Sequence, residues 1–323
     1  MLRIGLVSAG SYGASYRDPS APRTFGSFHG TAFASTFNGF DPDKKAALYD
    51  ANKYTFSPAG VVLGEGQVVK VWDPLRESAE ILAEVCSIPE VCDTADECST
   101  DVDAVVIVDD GSAAQYQYAF TPLRAGIPVF CDKPLAMTTA EAQQVQAVVE
   151  ETGTKFMSAS SLRYVPDIVK LRDDIAAGAM GNVPIVSTAC GNDLVYYGIH
   201  ALCMYLGVFP HDEAVSCLNV GQEGRNIVRV RYASGRDLVL VVGEMPYMSG
   251  GWQITVYGEK GWRLIQPDLT NLYMYLLQAF MDYVLRDECT VPVAEEVAVI
   301  ATLEAGRRSL VEGREVAVAE VLG

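Results

Sequence analysis

Two rhythms of apolar and polar positions divide the chain. Over roughly its first half, short apolar runs alternate with segments of helical spacing. "LRIGLVSAG" is an apolar run ended by glycine, as expected of a parallel strand buried on both faces. "VVKVWDP" (68–74), "DAVVIVDDG" (103–111), "IPVFCDKP" (127–134) and "TKFMSASSL" (154–162) read the same way. Between them, "RESAEILAEVC" (76–86) has apolar residues at helical spacing, and "QYQYAFTPLRAG" (115–126) fits a helix closed by glycine. "TTAEAQQVQAVVEETG" (138–153) is a helix with a threonine cap and a glycine stop. Such alternation predicts an α/β fold with a doubly wound parallel sheet.

The rhythm then changes. "VPIVSTAC", "NIVRVRYAS", "DLVLVVGE" and "WQITVYGEKGWRLIQ" read as strands joined by short glycine turns, which predicts an open, mostly antiparallel sheet. "LYMYLLQAFMDYVLRD" (272–287) and "AEEVAVIATLEAGRRSLVEG" (294–313) are amphipathic helices. The expected boundary lies near Pro134, giving domains 1–134 and 135–323, the second of α+β type.

Composition narrows the classes. The 323 residues are half apolar, enough for two domains. No run of about 18 uncharged apolar residues occurs, so no membrane partner is expected. The opening residues read as a strand and turn rather than a signal peptide, so a cytoplasmic protein is expected. The eight cysteines form no C-x-x-C pair and there are only three histidines, so no metal site is expected. A net charge of -17 with no basic stripe argues against nucleic acid as a partner.

A strand followed by a glycine turn is where a dinucleotide pyrophosphate would sit. Here the turn reads Ser8-Ala9-Gly10-Ser11-Tyr12-Gly13, with serine at the first glycine position of the usual fingerprint. Serine fits there if its φ is negative. Residues 14–25 hold two prolines and no helical period, so the helix is expected to open at Gly26 and run through "SFHGTAFASTFNG". Asp73 ends the second strand, where an acid commonly binds the ribose hydroxyls of NAD and repels the 2′-phosphate of NADP. An ordinary glycine turn and a surface turn acid are the plainer readings of the two features.

"CDKPLAMTTAEAQQV" resembles the Glu/Asp-Lys-Pro signature of the glucose-fructose oxidoreductase, inositol dehydrogenase and rhizopine catabolism family, Gfo/Idh/MocA. "RIGLVSAG", "VVKVWDP", "DAVVIV", "FMSASSLRY", "YYGIHALCM" and "ITVYGEKGWRLI" agree with it in order, as do the segments of the last two helices. Residues 14–28 and 41–66 lie outside the resemblance. The resemblance implies an N-terminal Rossmann domain binding NAD, with NADP less favoured, through Ser8, Ala9, Gly10, Asp73, Asp109, Asp132 and Lys133. It implies hydride transfer at a secondary alcohol or ketone of a sugar or cyclitol. It also implies a cis Lys133–Pro134 bond and a lysine beside nicotinamide and substrate. The residues agree: a lysine at the carboxyl end of a parallel strand can donate to a substrate oxygen. A capped turn lysine is the plain alternative.

"LVYYGIHALCM" resembles the family segment Asp-x-Gly-x-His-x-x-Asp, matching at Gly198 and His200 only. His200 is the candidate base. Tyr196 and Cys203 stand near the missing acids, and Asp193 is a possible substitute partner. Tyr196 or Tyr197 could donate the proton instead. Arg163 is a candidate for holding substrate oxygens, or packs on Tyr164. His29 reads as a helix-packing residue and His211 as a loop residue. Asp109 and Asp110 bring negative charge close to the cofactor position, which Arg17 and Arg23 could offset. A homodimer or homotetramer through the C-terminal sheet is expected. Two other readings stay open: a sensor that binds nucleotide or sugar without turnover, and redox-assisted elimination.

Overall fold

The apolar run after Met1 forms a strand whose residues 4–7 are all buried, so it needs cover on both faces. The computed structural model describes residues 1–8, 10–12, 18, 20–50, 54–109, 112–244, 247–248 and 250–323. In chain order the strands are β1 (Leu2–Val7), β2 (Ser11–Tyr12), β3 (Thr24–Phe25), β4 (Gly66–Trp72), β5 (Glu90–Val91), β6 (Ala104–Ile107), β7 (Val129–Cys131) and β8 (Phe156–Met157). They continue as β9 (Ile185–Gly191), β10 (Ala214–Asn219), β11 (Arg225–Tyr232), β12 (Asp237–Gly243), β13 (Trp252–Gly258), β14 (Gly261–Ile265) and β15 (Val316–Ala317). The helices are α1 (Phe28–Asn38), α2 (Pro42–Leu48), α3 (Arg76–Cys86), α4 (Phe120–Arg124), α5 (Thr139–Thr152), α6 (Pro166–Ala176), α7 (Gly198–Val208), α8 (Leu272–Arg286), α9 (Val293–Glu312) and α10 (Ala319–Leu322).

Two compact units share these elements. The first holds Met1–Ala136, Gln144–Ser158 and Tyr273–Val293; the second holds Met137–Gln143, Ala159–Leu272 and Ala294–Gly323. The units are therefore not the continuous stretches 1–134 and 135–323. The parallel sheet takes one more strand, β8, after Pro134, and α8 returns to the first unit: Phe280 of α8 packs on Phe130 of β7, ring centroids 5.7 Å apart.

The first unit carries a six-stranded parallel sheet in the order β5-β4-β1-β6-β7-β8. Renumbered, this is the 3-2-1-4-5-6 order of the Rossmann fold. The helix after the glycine turn starts at Phe28, two residues beyond the expected Gly26, because the Ser27 side chain caps it by accepting the Gly30 N–H.

The second unit carries a seven-stranded sheet in the order β14-β13-β9-β12-β11-β10-β15. Its neighbours run antiparallel except β9 and β12, which are parallel. β11 alternates exposed and buried residues, so one face is covered and one is open. Helix α7 lies against β9, β12 and β13, and every one of its residues is buried. Among the described residues no helix is long and apolar enough to cross a membrane. Seven cysteines are buried, Cys289 is exposed, and none is in a disulfide.

One carboxyl in the second unit sits apart from ordinary packing. Glu296 of α9 is fully buried, and neither of its oxygens has a hydrogen-bond partner among the described residues. Burial pushes its pKa up to about 8, with Arg163 opposing and Glu295 adding to the rise. The folded chain keeps this proton from about pH 4.5, where an ordinary glutamate gives it up, to about 8. Over that window the folded state binds more protons than the unfolded state, so stability falls as pH rises, by up to about 1.4 kcal/mol per pH unit. Glu296→Gln should flatten this slope in denaturant titrations run between pH 5 and 8. A variant that keeps the wild-type slope would show that another group sets it.

Candidate functional site

The register of the parallel sheet lines up the ends of four strands. Val7 pairs with both Trp72 and Ile107, and Ile107 pairs with Cys131. The ladder runs one step further: the N–H of Ser8 donates to Trp72 O at 2.8 Å, that of Val108 to Val7 O at 2.9 Å, and that of Asp132 to Ile107 O at 2.9 Å. Asp73, Ser8, Asp109, Asp132 and Lys133 therefore emerge along one edge. All five are buried. This is the carboxyl edge of the sheet, and the strand order reverses between β1 and β6, the position where open α/β sheets bind ligands.

Ser8 has φ 58°, so the condition of a negative φ is not met and a side chain occupies a left-handed position that costs about 1–2 kcal/mol. Gly10 is required for a different reason: a Cβ there would lie 2.5 Å from the Ser78 backbone at the start of α3. Asp73 closes the turn. Its Oδ2 accepts the N–H groups of Gly10 and Ser11 at 2.9 and 3.0 Å, and its Oδ1 accepts that of Leu75 at 2.8 Å. Burial raises the Asp73 pKa above the usual carboxylate value, and these hydrogen bonds oppose the rise. Ala9 and Gly13 lie outside the described residues.

Asp109 is neutralised from the inserted segment. Arg23 Nη1 and Nη2 donate to its two oxygens at 2.8 and 2.9 Å, a bidentate fork. Ser112 Oγ donates to Asp109 Oδ2 at 2.5 Å, and Arg23 Nη1 lies 3.5 Å from Ser8 Oγ. Burial pulls the Arg23 pKa down, but pairing with Asp109 outweighs it and the net shift is upward. Asp110 and Arg17 lie outside the described residues.

At the end of β7 the Lys133–Pro134 peptide is cis, as the resemblance implies. Gln115 holds this turn: its Nε2 donates to the carbonyls of Asp132 at 3.1 Å and Pro134 at 2.5 Å. His29 does more than pack its helix. Its Nδ1 pairs with Asp132 Oδ2, while its ring stacks on Phe33 and meets Tyr273.

The second unit holds the other candidates. His200 is in the first turn of α7, with Nδ1 2.6 Å from Ser160 Oγ. Its ring meets Trp252 edge to face at 4.7 Å and Tyr197 at 5.7 Å. Tyr197 also stacks parallel to Trp252, and Tyr196 lies tilted against Tyr197. The Asp193 side chain organises the turn before α7, with Oδ1 accepting the N–H groups of Val195 and Tyr196, each at 2.8 Å. Arg163 is buried, and its Nη1 stands 2.5 Å from Glu295 Oε1, without the alignment of a hydrogen bond. Its charge is thereby balanced inside the protein. His211 sits in a turn with φ 60°, and its Nδ1 is 2.7 Å from Glu295 Oε2.

With this arrangement in view, the comparisons with known proteins agree. Residues 24–160 match the model of the oxidoreductase family Gfo/Idh/MocA, NAD-binding Rossmann fold. The matched segment holds β4 to β8 of the six-stranded parallel sheet and the Lys133–Pro134 turn. The chain is 39% identical to the rhizopine catabolism protein MocA of Rhizobium meliloti over 62 residues, 19% of this chain and 20% of the relative. It is 29% identical to the trans-1,2-dihydrobenzene-1,2-diol dehydrogenase of Bos taurus over 133 residues, 41% of this chain and 40% of the relative. The matched stretches thus span less than half the length of these curated relatives. The crystal structure of myo-inositol dehydrogenase from Lactobacillus casei in complex with NAD(H) and myo-inositol shares the fold, with a TM-score of 0.75 at 17% identity over 98% of this chain and 96% of that one.

The carboxyl edge fits a dinucleotide in its chemistry: backbone N–H groups in a glycine turn, serine hydroxyls, acids at the strand ends and an arginine. The fit carries one condition, since the Gly10 and Ser11 N–H groups already serve Asp73. Sequence reasoning missed Gln115, Ser160 and Trp252, and gave His29 only packing. No local signal marks these residues, because their partners are 17, 40, 52 and 103 positions away.

The Arg23–Asp109 pair makes a separable prediction. Arg23→Ala leaves a buried carboxylate without its fork and should cost about 1.5–3 kcal/mol in chemical denaturation. Asp109→Asn in the Arg23→Ala background should recover part of that loss. Strictly additive losses would mean that the pair is not coupled.

Proposed function

We propose that this Gfo/Idh/MocA chain is a cytoplasmic NAD-dependent oxidoreductase acting on a secondary alcohol or ketone carbon of a sugar or cyclitol. The observation that carries the reading is Lys133, a buried lysine at the end of β7, in line with the ends of β1 and β6. The bound NAD(H) and myo-inositol of the Lactobacillus casei neighbour support the choice of cofactor and substrate class. NAD is preferred over NADP because a carboxylate, Asp73, ends β4, where a 2′-phosphate would be repelled.

The nicotinamide, when bound, supplies the hydride acceptor or donor. Lys133 donates a hydrogen bond to the substrate oxygen and stabilises the charge that develops there. Gln115 holds the turn that aims it. His200 exchanges a proton with the substrate, its ring plane set by Trp252 and Tyr197. Asp193 and Tyr196 shape the turn that carries His200, and Arg163 is held in its pairing with Glu295.

A second reading, a family member that binds nucleotide or sugar without turnover, is favoured by one observation. The turn N–H groups that face a pyrophosphate in this fold are taken by Asp73. The two readings separate on Lys133→Met assayed against a panel of cyclitols and sugars. The enzyme reading expects wild-type turnover to be lost while NADH affinity stays within about threefold. It expects His200→Ala to lower the rate about 10²–10⁴-fold, the usual scale for a general acid or base. Near-normal kcat in Lys133→Met would sink the lysine's role. Wild-type protein that binds NADH but turns over no member of the panel would favour the second reading.

We also propose that a second copy covers the open face of the seven-stranded sheet. Cross-strand pairing puts Ile185, Tyr257 and Trp262 in one row and Leu264 in the next, all exposed, with Trp262 at 68%. Large apolar side chains exposed side by side on a sheet face are the kind of patch that marks a contact with another protein. Trp262→Glu should convert an oligomer to a smaller species in light scattering. An unchanged mass would place the interface elsewhere.

A further inference from the structure

Proton exchange at His200 depends on which ring nitrogen carries the hydrogen, and the second unit contains a residue that decides it. Ser160 Oγ lies 2.6 Å from His200 Nδ1, with Ser160 fully buried and His200 8% exposed. The contact is built into the chain. Ser160 caps the short turn Ser161–Arg163, and its Oγ accepts the Leu162 N–H at 3.3 Å. That turn packs on α7. Gly207 stands two turns after His200 on the same helix face. A Cβ there would meet the Arg163 carbonyl oxygen at 2.8 Å and Ile168 Cγ2 at 2.7 Å. Glycine at this position lets the helix approach the turn closely enough for a short hydrogen bond.

A serine hydroxyl has one hydrogen to give. The Leu162 N–H can only donate, so it cannot receive that hydrogen. Among the described residues, Nδ1 is the one acceptor within hydrogen-bond reach of Ser160 Oγ. We propose that Ser160 donates its O–H to Nδ1 and so holds neutral His200 as the Nε2–H tautomer. Ser160 is then a positioning residue, and the inference rests on His200 as the group that exchanges a proton with substrate.

The consequence is directional. A carboxylate partner can only accept, so it would fix the hydrogen on Nδ1 and leave Nε2 bare as a base. With serine, resting neutral His200 presents an N–H to a substrate oxygen. When the ring is charged, the Ser160 hydroxyl rotates and its oxygen accepts the Nδ1–H. The proton then leaves Nε2 for the substrate oxygen, and the ring is left neutral with its hydrogen on Nδ1. Ser160 disfavours that form and returns the ring, through exchange with water, to Nε2–H. The arrangement suits His200 to proton donation, as in carbonyl reduction, more than to proton abstraction from an alcohol.

The test is ¹⁵N NMR of the imidazoles in the full-length labelled chain, at a pH where His200 is neutral. Only three histidines contribute, His29, His200 and His211, so loss of one set in His200→Gln assigns the signals. The expected wild-type pattern is an unprotonated-type Nδ1 and a protonated-type Nε2. Ser160→Ala should shift the ring toward a mixture, and Ser160→Thr, which keeps the hydroxyl, should restore the wild-type pattern. A protonated Nδ1 in the wild type, or an Ala spectrum identical to wild type, overturns the proposal. Should the Ala variant fail to fold, the wild-type and Thr spectra still decide. The expected pattern together with full turnover in His200→Ala would uphold Ser160's control of the tautomer and remove only the proton-exchange reading.

Discussion

The register of the parallel sheet is the constraint on which the first unit's chemistry depends. Because Val7, Trp72, Ile107 and Cys131 stand level, the residues that follow them leave the sheet together. A slip of one residue in β7 would move its end by about 3.3 Å and turn every side chain to the opposite face. Lys133 would then leave the sheet out of level with Ser8 and Asp109. The register is secured by burial, since β1, β6 and β7 are apolar on both faces at this level and cannot slide without exposing valine, isoleucine or phenylalanine.

That edge concentrates negative charge, and the protein answers each acid by a different device. Asp73 is held by backbone N–H groups, Asp109 by Arg23, and Asp132 by His29. Each carboxylate is 3% exposed, so bare mutual repulsion in so little water would be severe. The local solutions leave Lys133 among acids that each already have a hydrogen-bonded or ionic partner. The second unit follows the same logic, with Arg163 set against Glu295 and with Glu296 kept protonated by burial.

Strand–helix alternation carried the first unit, because parallel strands buried on both faces write continuous apolar runs. The Asp-Lys-Pro turn was legible for the same reason, as a charged break at the end of such a run. Helix α7 left no amphipathic signal: it is buried all round, so its apolar residues follow no period. Helix α6 begins at Pro166 in a segment given no helical reading. The β9–β12 parallel pair was hidden because strand direction depends on the crossover and not on the strand's own pattern. At the site, position along the chain found Asp73, Asp109, Lys133 and His200. Arg23 was legible as a counter-charge to Asp109, but the roles of Gln115 and His29 at Asp132 and of Ser160 at His200 needed the folded chain.

The central claim is that the edge formed by Ser8, Asp73, Asp109 and Lys133 takes up a nicotinamide dinucleotide. Titration of the full-length protein with NADH and, separately, with NADPH, followed by the cofactor's own fluorescence and by calorimetry, tests it most directly. The account predicts saturable binding of one NADH per chain, with NADPH weaker. No binding of either dinucleotide would contradict it.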